Sequence, residues 1–140
     1  MSWFIFALLS ALFAAATAIL AKVGIKNVDS NLATAIRTVV ILFFAWGIVL
    51  FQGTWKQIHT LSKFSLTFLV LSGIATGLSW LFYFRALQLG TASQVAPIDK
   101  LSLALTVIFA VIFLQEKVNL SVILGVLLMT AGTFLIAFGK

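Results

Sequence analysis

Five stretches of this sequence, 3–21, 32–51, 66–87, 92–115 and 120–138, are dominated by apolar side chains. Each is about 20 residues long, enough for an α-helix to cross ~30 Å of hydrocarbon. Inside hydrocarbon the backbone has no water to bond, so a chain built from such runs is confined to membrane-spanning helices. The expected fold class is all-α: a polytopic membrane bundle of five transmembrane helices in a single domain over 1–140. Little chain remains outside the spans, which leaves no room for a separate soluble catalytic domain. Small residues at 14–18 imitate a signal-peptide cleavage site. No positive segment precedes the first run, however, and four more runs follow it, so the first helix is expected to be retained.

A formal net charge of +6, from nine Lys/Arg against three Asp/Glu, would point to nucleic acid in a water-soluble chain. Here only 9% of residues are charged, and cations at helix ends anchor to headgroups, so the bilayer is the expected partner and nucleic acid is not. The absence of Cys removes disulfides and metal–thiolate sites. With no metal-ligand cluster and no nucleophile paired to a base, no catalytic residues, metal or cofactor are expected.

Helix punctuation separates the runs. Gly24, Gly53 and Gly90 stand where C-cap glycines would, and Asp29 or Ser30 and Asn119 precede helices as N-caps. The longest connection, 52–65, spaces Trp55, Ile58, Leu61 and Phe64 three apart with Lys56, His59 and Lys63 between them, which reads as a short interfacial helix. His59 is the single histidine, and its place in this loop gives it an ordinary surface role.

In a membrane bundle, polar and small positions face protein or a cavity while lipid sees the rest. On the third helix Ser72, Thr76, Ser79 and Tyr83 form one polar line, with Gly73 and Gly77 beside it and Trp80 and Phe84 continuing the neighbouring face. These hydroxyls either line a cavity or bond their own backbone while the glycines admit a neighbouring helix; the pattern fits both. The fifth helix carries Ser121, Gly125, Gly132 and Ile136 on one face and no ionisable group, as expected of a packing and association helix.

The segment 96–102 of the fourth helix is the most unusual, because the single proline, Pro97, meets Asp99 and Lys100 there. A helix starting near Ala92 buries Asp99 ~10 Å below its end, on one face with Ser102 and Thr106, and an acid inside a membrane is a functional candidate. A helix capped by Ala96 would instead make Pro97 its first residue and Asp99 an acid favoured by the helix dipole. Lys22, Arg37, Arg85, Asp99 and Lys100 all approach the same membrane face. They form either snorkelling cations with a salt bridge from Asp99 to Arg37, Arg85 or Lys100, or the rim of an anion-attracting vestibule.

Clear loop cations divide evenly, with Lys56, Lys63 and Lys117 on the N-terminal side and Lys22, Lys26 and Lys140 opposite. Such balance permits insertion in both directions. With an odd number of spans and no internal second copy, a ten-helix antiparallel homodimer is the expected assembly.

The stretch Arg85-Ala86-Leu87-Gln88-Leu89-Gly90-Thr91-Ala92-Ser93-Gln94-Val95-Ala96-Pro97-Ile98-Asp99-Lys100-Leu101-Ser102, followed by Phe113-Leu114-Gln115-Glu116-Lys117 and the helix bearing Gly125 and Gly132, resembles the EamA-like domain of the drug/metabolite transporter superfamily. Its short five-helix bacterial and archaeal branch is the most similar, and Lys22-Val23-Gly24 and Ala35-Ile36-Arg37-Thr38 resemble the first hairpin of that branch. The resemblance implies one EamA-like unit in a prokaryotic inner membrane, with a solute cavity near a pseudo-twofold axis. Residues 10–17 hold no acid, so the membrane-embedded glutamate of the small multidrug-resistance relatives is missing and their proton-driven mechanism is not implied.

The expected function is therefore transport of a small polar metabolite by alternating access across a dimer cavity. Ser72, Thr76, Ser79, Trp80 and Tyr83 would face the solute from one side, and Asp99, Ser102 and Thr106 from the other. Arg37, Arg85 and Lys100 would form a charge network with Asp99 or meet an anionic group, while Gly73, Gly77, Gly125 and Gly132 would serve packing or gating. The alternative is an accessory or scaffolding membrane subunit that moves nothing itself.

Overall fold

The computed structural model describes residues 3–139, and these are helical with short connections. The α-helices are α1 (Trp3–Gly24), α2 (Ser30–Gln52), α3 (Lys63–Leu89), α4 (Ala92–Asp99), α5 (Leu101–Phe113) and α6 (Leu120–Phe138). A 3-10 helix, Thr54–Thr60, links α2 to α3. α1, α2, α3, α6 and the stretch Ala92–Phe113 are each long and apolar enough to cross a membrane, which makes five candidate spans. Lys140, counted above among the loop cations, lies outside the described residues.

Local side-chain bonding sets the starts of three helices, α2, α3 and α6. Asp29 Oδ1 accepts the N–H groups of Asn31 at 2.9 Å and Leu32 at 3.1 Å, so α2 begins at Ser30. Its other end closes on Gly53, whose φ of 70° lies in the left-handed region that glycine enters without strain. Asn119 Oδ1 accepts from Val122 N–H at 2.9 Å and opens α6. Ser62 is a cap that the sequence reading did not single out. Its Oγ accepts from Ser65 N–H at 3.0 Å, and α3 consequently starts at Lys63 and runs for 27 residues. That is about 40 Å, longer than the hydrocarbon layer, so α3 must tilt or enter the headgroup region. Gly24, expected beyond a helix end, is the last residue of α1.

The short helix expected between α2 and α3 is present and is of the 3-10 type; an apolar spacing of three matches its 3.0 residues per turn and eclipses Trp55 with Ile58. One expectation is corrected. The fourth span is not one helix over 92–115 but two. α4 starts at Ala92 after the N-cap Thr91, which puts Pro97 inside it and makes Asp99 its last residue. Pro97 has no N–H to give the α ladder. Lys100 N–H then bonds Pro97 O at 3.0 Å, and Leu103 N–H bonds Lys100 O at 3.0 Å, two short i→i−3 closures that separate α4 from α5. The arrangement in which Pro97 opens the helix is not the one found.

α5 stops at Phe113 through a tight C-terminal turn in which Glu116 N–H reaches back to Ala110 O at 3.2 Å. The residue at the left-handed position is Gln115, with φ 55°, where glycine is usual. A β-branched side chain is the most strained at such a position. We therefore expect Gln115→Val to cost about 1–2 kcal/mol relative to Gln115→Gly, measured by unfolding in mixed micelles; equal stabilities would contradict this turn.

The described residues form two units, one spanning Leu20–Gln88 and the other formed by the remaining described residues. In the unit Leu20–Gln88, Ala21, Ile25, Ser30, Thr34, Phe84 and Leu87 are buried. Lys22 Nζ donates to the carbonyl of Leu87, and Gln88 Nε2 donates to Val28 O at 2.6 Å, tying the end of α1 and the loop after it to the end of α3. In the other unit α6 packs against α4 and α5. There the buried Thr133 hydroxyl lies 2.9 Å from Met129 O and 3.4 Å from Pro97 O. A hydroxyl from a neighbouring helix is a common way to satisfy backbone near a proline-interrupted span.

Candidate functional site

α3 carries its polar line as expected for helical spacing. Ser72, Thr76 and Ser79 are exposed in the single chain, and Trp80 and Tyr83 are half-buried. Thr76 Oγ1 bonds its own helix through Ser72 O at 2.9 Å. The hydroxyls of Ser72 and Ser79 have no hydrogen bond among the described residues. At Gly73 and Gly77 nothing stands within 4 Å of where a Cβ would be, and the same is true of Gly125 and Gly132 on α6. Within this chain, therefore, none of these glycines is needed for a close helix approach.

The Leu20–Gln88 unit brings a cation from α2 onto the edge of this face. The guanidinium carbon of Arg37 sits 4.5 Å from the ring centre of Phe84 and 5.3 Å from that of Trp80. Phe84 is 1% exposed, so the nearer ring under the cation is enclosed by its neighbours. Stacking of this kind contributes on the order of 0.5–2 kcal/mol. Arg37 lies about 10 Å along the α2 axis from Ser30. Among the described residues it makes no hydrogen bond and no ion pair. Arg85 is engaged otherwise, its Nη1 donating at 3.0 Å to Gln88 Oε1 near the end of α3.

In the second unit Asp99 closes α4, half-buried, and its Oδ2 pairs with the exposed Lys100 Nζ at 3.3 Å. Of the cations considered for Asp99, Lys100 is thus its partner among the described residues. The carboxylate accepts no backbone N–H there, so it does not act as a helix cap. Thr106 Oγ1 bonds Ser102 O at 2.7 Å, an intrahelical bond like that of Thr76, and the Ser102 hydroxyl is exposed.

Two open grooves mark the surface of the Leu20–Gln88 unit. One, of about 590 Å³, is lined by Lys22, Lys26 and Gln88 among others; the second, of about 470 Å³, runs between Asp29–Asn31 and the α3 face of Leu78, Phe82 and Arg85. Neither is lined by Ser72, Thr76, Ser79 or Tyr83. What the sequence reading missed is the stack: it placed Trp80 and Phe84 beside the polar line but did not bring Arg37 to them. No one-helix pattern carries that signal, because it depends on how α2 and α3 are registered.

Comparison with known proteins agrees with the helical layout. The model of the EamA-like transporter family matches residues 1–138. The chain is 53% identical over 136 residues to a Sinorhizobium sp protein named "Uncharacterized transporter in cobO 3'region", covering 97% of this chain and 96% of that one. It is 28% identical over 86 residues to "Uncharacterized protein MJ1333.1" of Methanocaldococcus jannaschii, covering 61% of this chain and 63% of that protein. No solved structure matches the chain significantly. With five membrane-length helices and a family match over nearly its whole length, this is a multi-pass membrane protein that belongs to the EamA-like transporter family.

Proposed function

We propose that the chain moves a small polar metabolite across a prokaryotic inner membrane by alternating access, with two antiparallel copies enclosing the solute path. The observation that carries this reading is the open polar face of α3. Among the described residues the hydroxyls of Ser72 and Ser79 have no hydrogen bond and Gly73 and Gly77 are unobstructed, and Arg37 stands over Trp80 beside them, all within membrane-length helices. Facing lipid, unpaired hydroxyls and a guanidinium are costly; facing a second copy or a wet cavity, they are not. Asp99 and Lys100, at the interruption of the fourth span, supply an ion pair that a gradient can act on.

Purified chain reconstituted alone into liposomes should take up solutes from a metabolite panel. Absence of flux from folded protein would overturn the proposal in favour of an accessory subunit. The native chain has no cysteine, so single cysteines at Asn27, in the loop after α1, and at Gln57, in the loop after α2, report sidedness cleanly. For an antiparallel pair each position labels from both sides of the membrane. Labelling of each from one side only would rule that assembly out.

A further inference from the structure

Arg37 defines the chemistry of the cargo more narrowly than its surroundings do. The described acids are already placed: Asp29 is bound to the first amides of α2, Asp99 to Lys100, and Glu116 lies in the loop after α5. The stack on Phe84 and Trp80 also holds the guanidinium at the level of those rings, below the end of α3, rather than letting it extend to the headgroups. A cation kept inside a span without a counter-charge among the described residues calls for an anion from elsewhere. The rings occupy one side of the guanidinium, so its N–H groups directed away from them are left to bind, and two parallel N–H bonds match one carboxylate.

We infer that Arg37 is an oxyanion-binding residue and that its occupant is the carboxylate of the transported solute. This rests on the transport reading and deepens it. Ser79, adjacent to Trp80 on the same helix, is the nearest hydroxyl in sequence to offer the remainder of such a solute a contact. A lipid phosphate shares the oxyanion chemistry but must descend past the end of α3 to reach the stack.

The test is thermal stabilisation of the purified protein by acetate, succinate, benzoate and indole-3-acetate, each compared with its uncharged carboxamide. At least one carboxylate should stabilise the wild type at a concentration at least ten-fold lower than its amide requires. Arg37→Gln should abolish that difference, and Arg37→Lys, which keeps the charge without the planar fork, should weaken it several-fold. Because the readout is the shift caused by ligand, a lower starting stability in a variant does not imitate it. If no carboxylate outperforms its amide, or if Arg37→Gln keeps the preference, the inference is overturned.

The same measurement in nanodiscs of phosphatidylcholine, with and without phosphatidylglycerol, separates the two sources of oxyanion. Arg37-dependent stabilisation by phosphatidylglycerol that carboxylates cannot displace would assign the site to lipid and overturn the solute assignment. Flux in liposomes is scored apart from binding. Carboxylate binding through Arg37 without flux would sink the transport reading alone, whereas equal Arg37-independent flux of acid and amide would sink this inference alone.

Discussion

Replacing Asp99 by Asn should uncouple flux from its driving gradient. In liposomes carrying the wild type, uptake is expected to rise with an imposed proton or cation gradient; with Asp99→Asn the gradient-driven part should fall at least ten-fold, while exchange between equal solute pools persists. The carboxylate is half-buried at the junction of α4 and α5, within a stretch long enough to span the membrane, and its partner is the adjacent Lys100. An ionisable group at that depth is held only where it is paired or hydrated. Neutralising it leaves Lys100 without its ion pair and removes the group that would gain and lose the coupling ion. Gradient-driven uptake that stays at wild-type level in the mutant would reduce the pair to a structural feature of the break, and circular dichroism should show the same helix content in both proteins.

The second large effect is on stability. Leu87→Ala and Phe84→Ala should each destabilise the protein by about 1–3 kcal/mol, below the ~2–5 kcal/mol typical of water-soluble cores. Leu87 and Phe84 are 0% and 1% exposed, the most enclosed large side chains described. In a bilayer, lipid tails are as apolar as leucine, so the transfer contribution largely cancels and the cost is the unfilled space and lost dispersion contacts. Phe84→Ala also removes the nearer ring under Arg37 and should weaken carboxylate binding in step, whereas Leu87→Ala should not. Phe82→Ala, on the same helix but 73% exposed, provides the control and should change little. Unfolding by SDS in mixed micelles measures all three; a Phe82 effect as large as that of Leu87 would contradict the packing at this end of α3.

Sequence alone was enough for what depends on neighbours along the chain. Five apolar runs of membrane length, with the Asp29, Gly53 and Asn119 boundaries, follow from local bonding, because a cap is made by residues within a few positions of one another. The motif around Pro97 likewise carried the family resemblance. The apolar spacing of three at Trp55 and Ile58 was visible too, although the helix it produced is of the 3-10 type.

Tertiary structure decided which faces meet. In a water-soluble helix the buried stripe stands out against a polar one, but here lipid-facing and protein-facing sides are both apolar, so periodicity does not say how α2 registers against α3. That register puts Arg37 on Phe84 and Trp80 and commits Gln88 to Val28. The same limit applies where Thr133 of α6 comes up to Pro97 and the fourth span divides before Leu101. Pro97 announced a disturbance, but its place depended on which carbonyls the neighbouring backbone and side chains could satisfy, and those partners come together only in the folded chain.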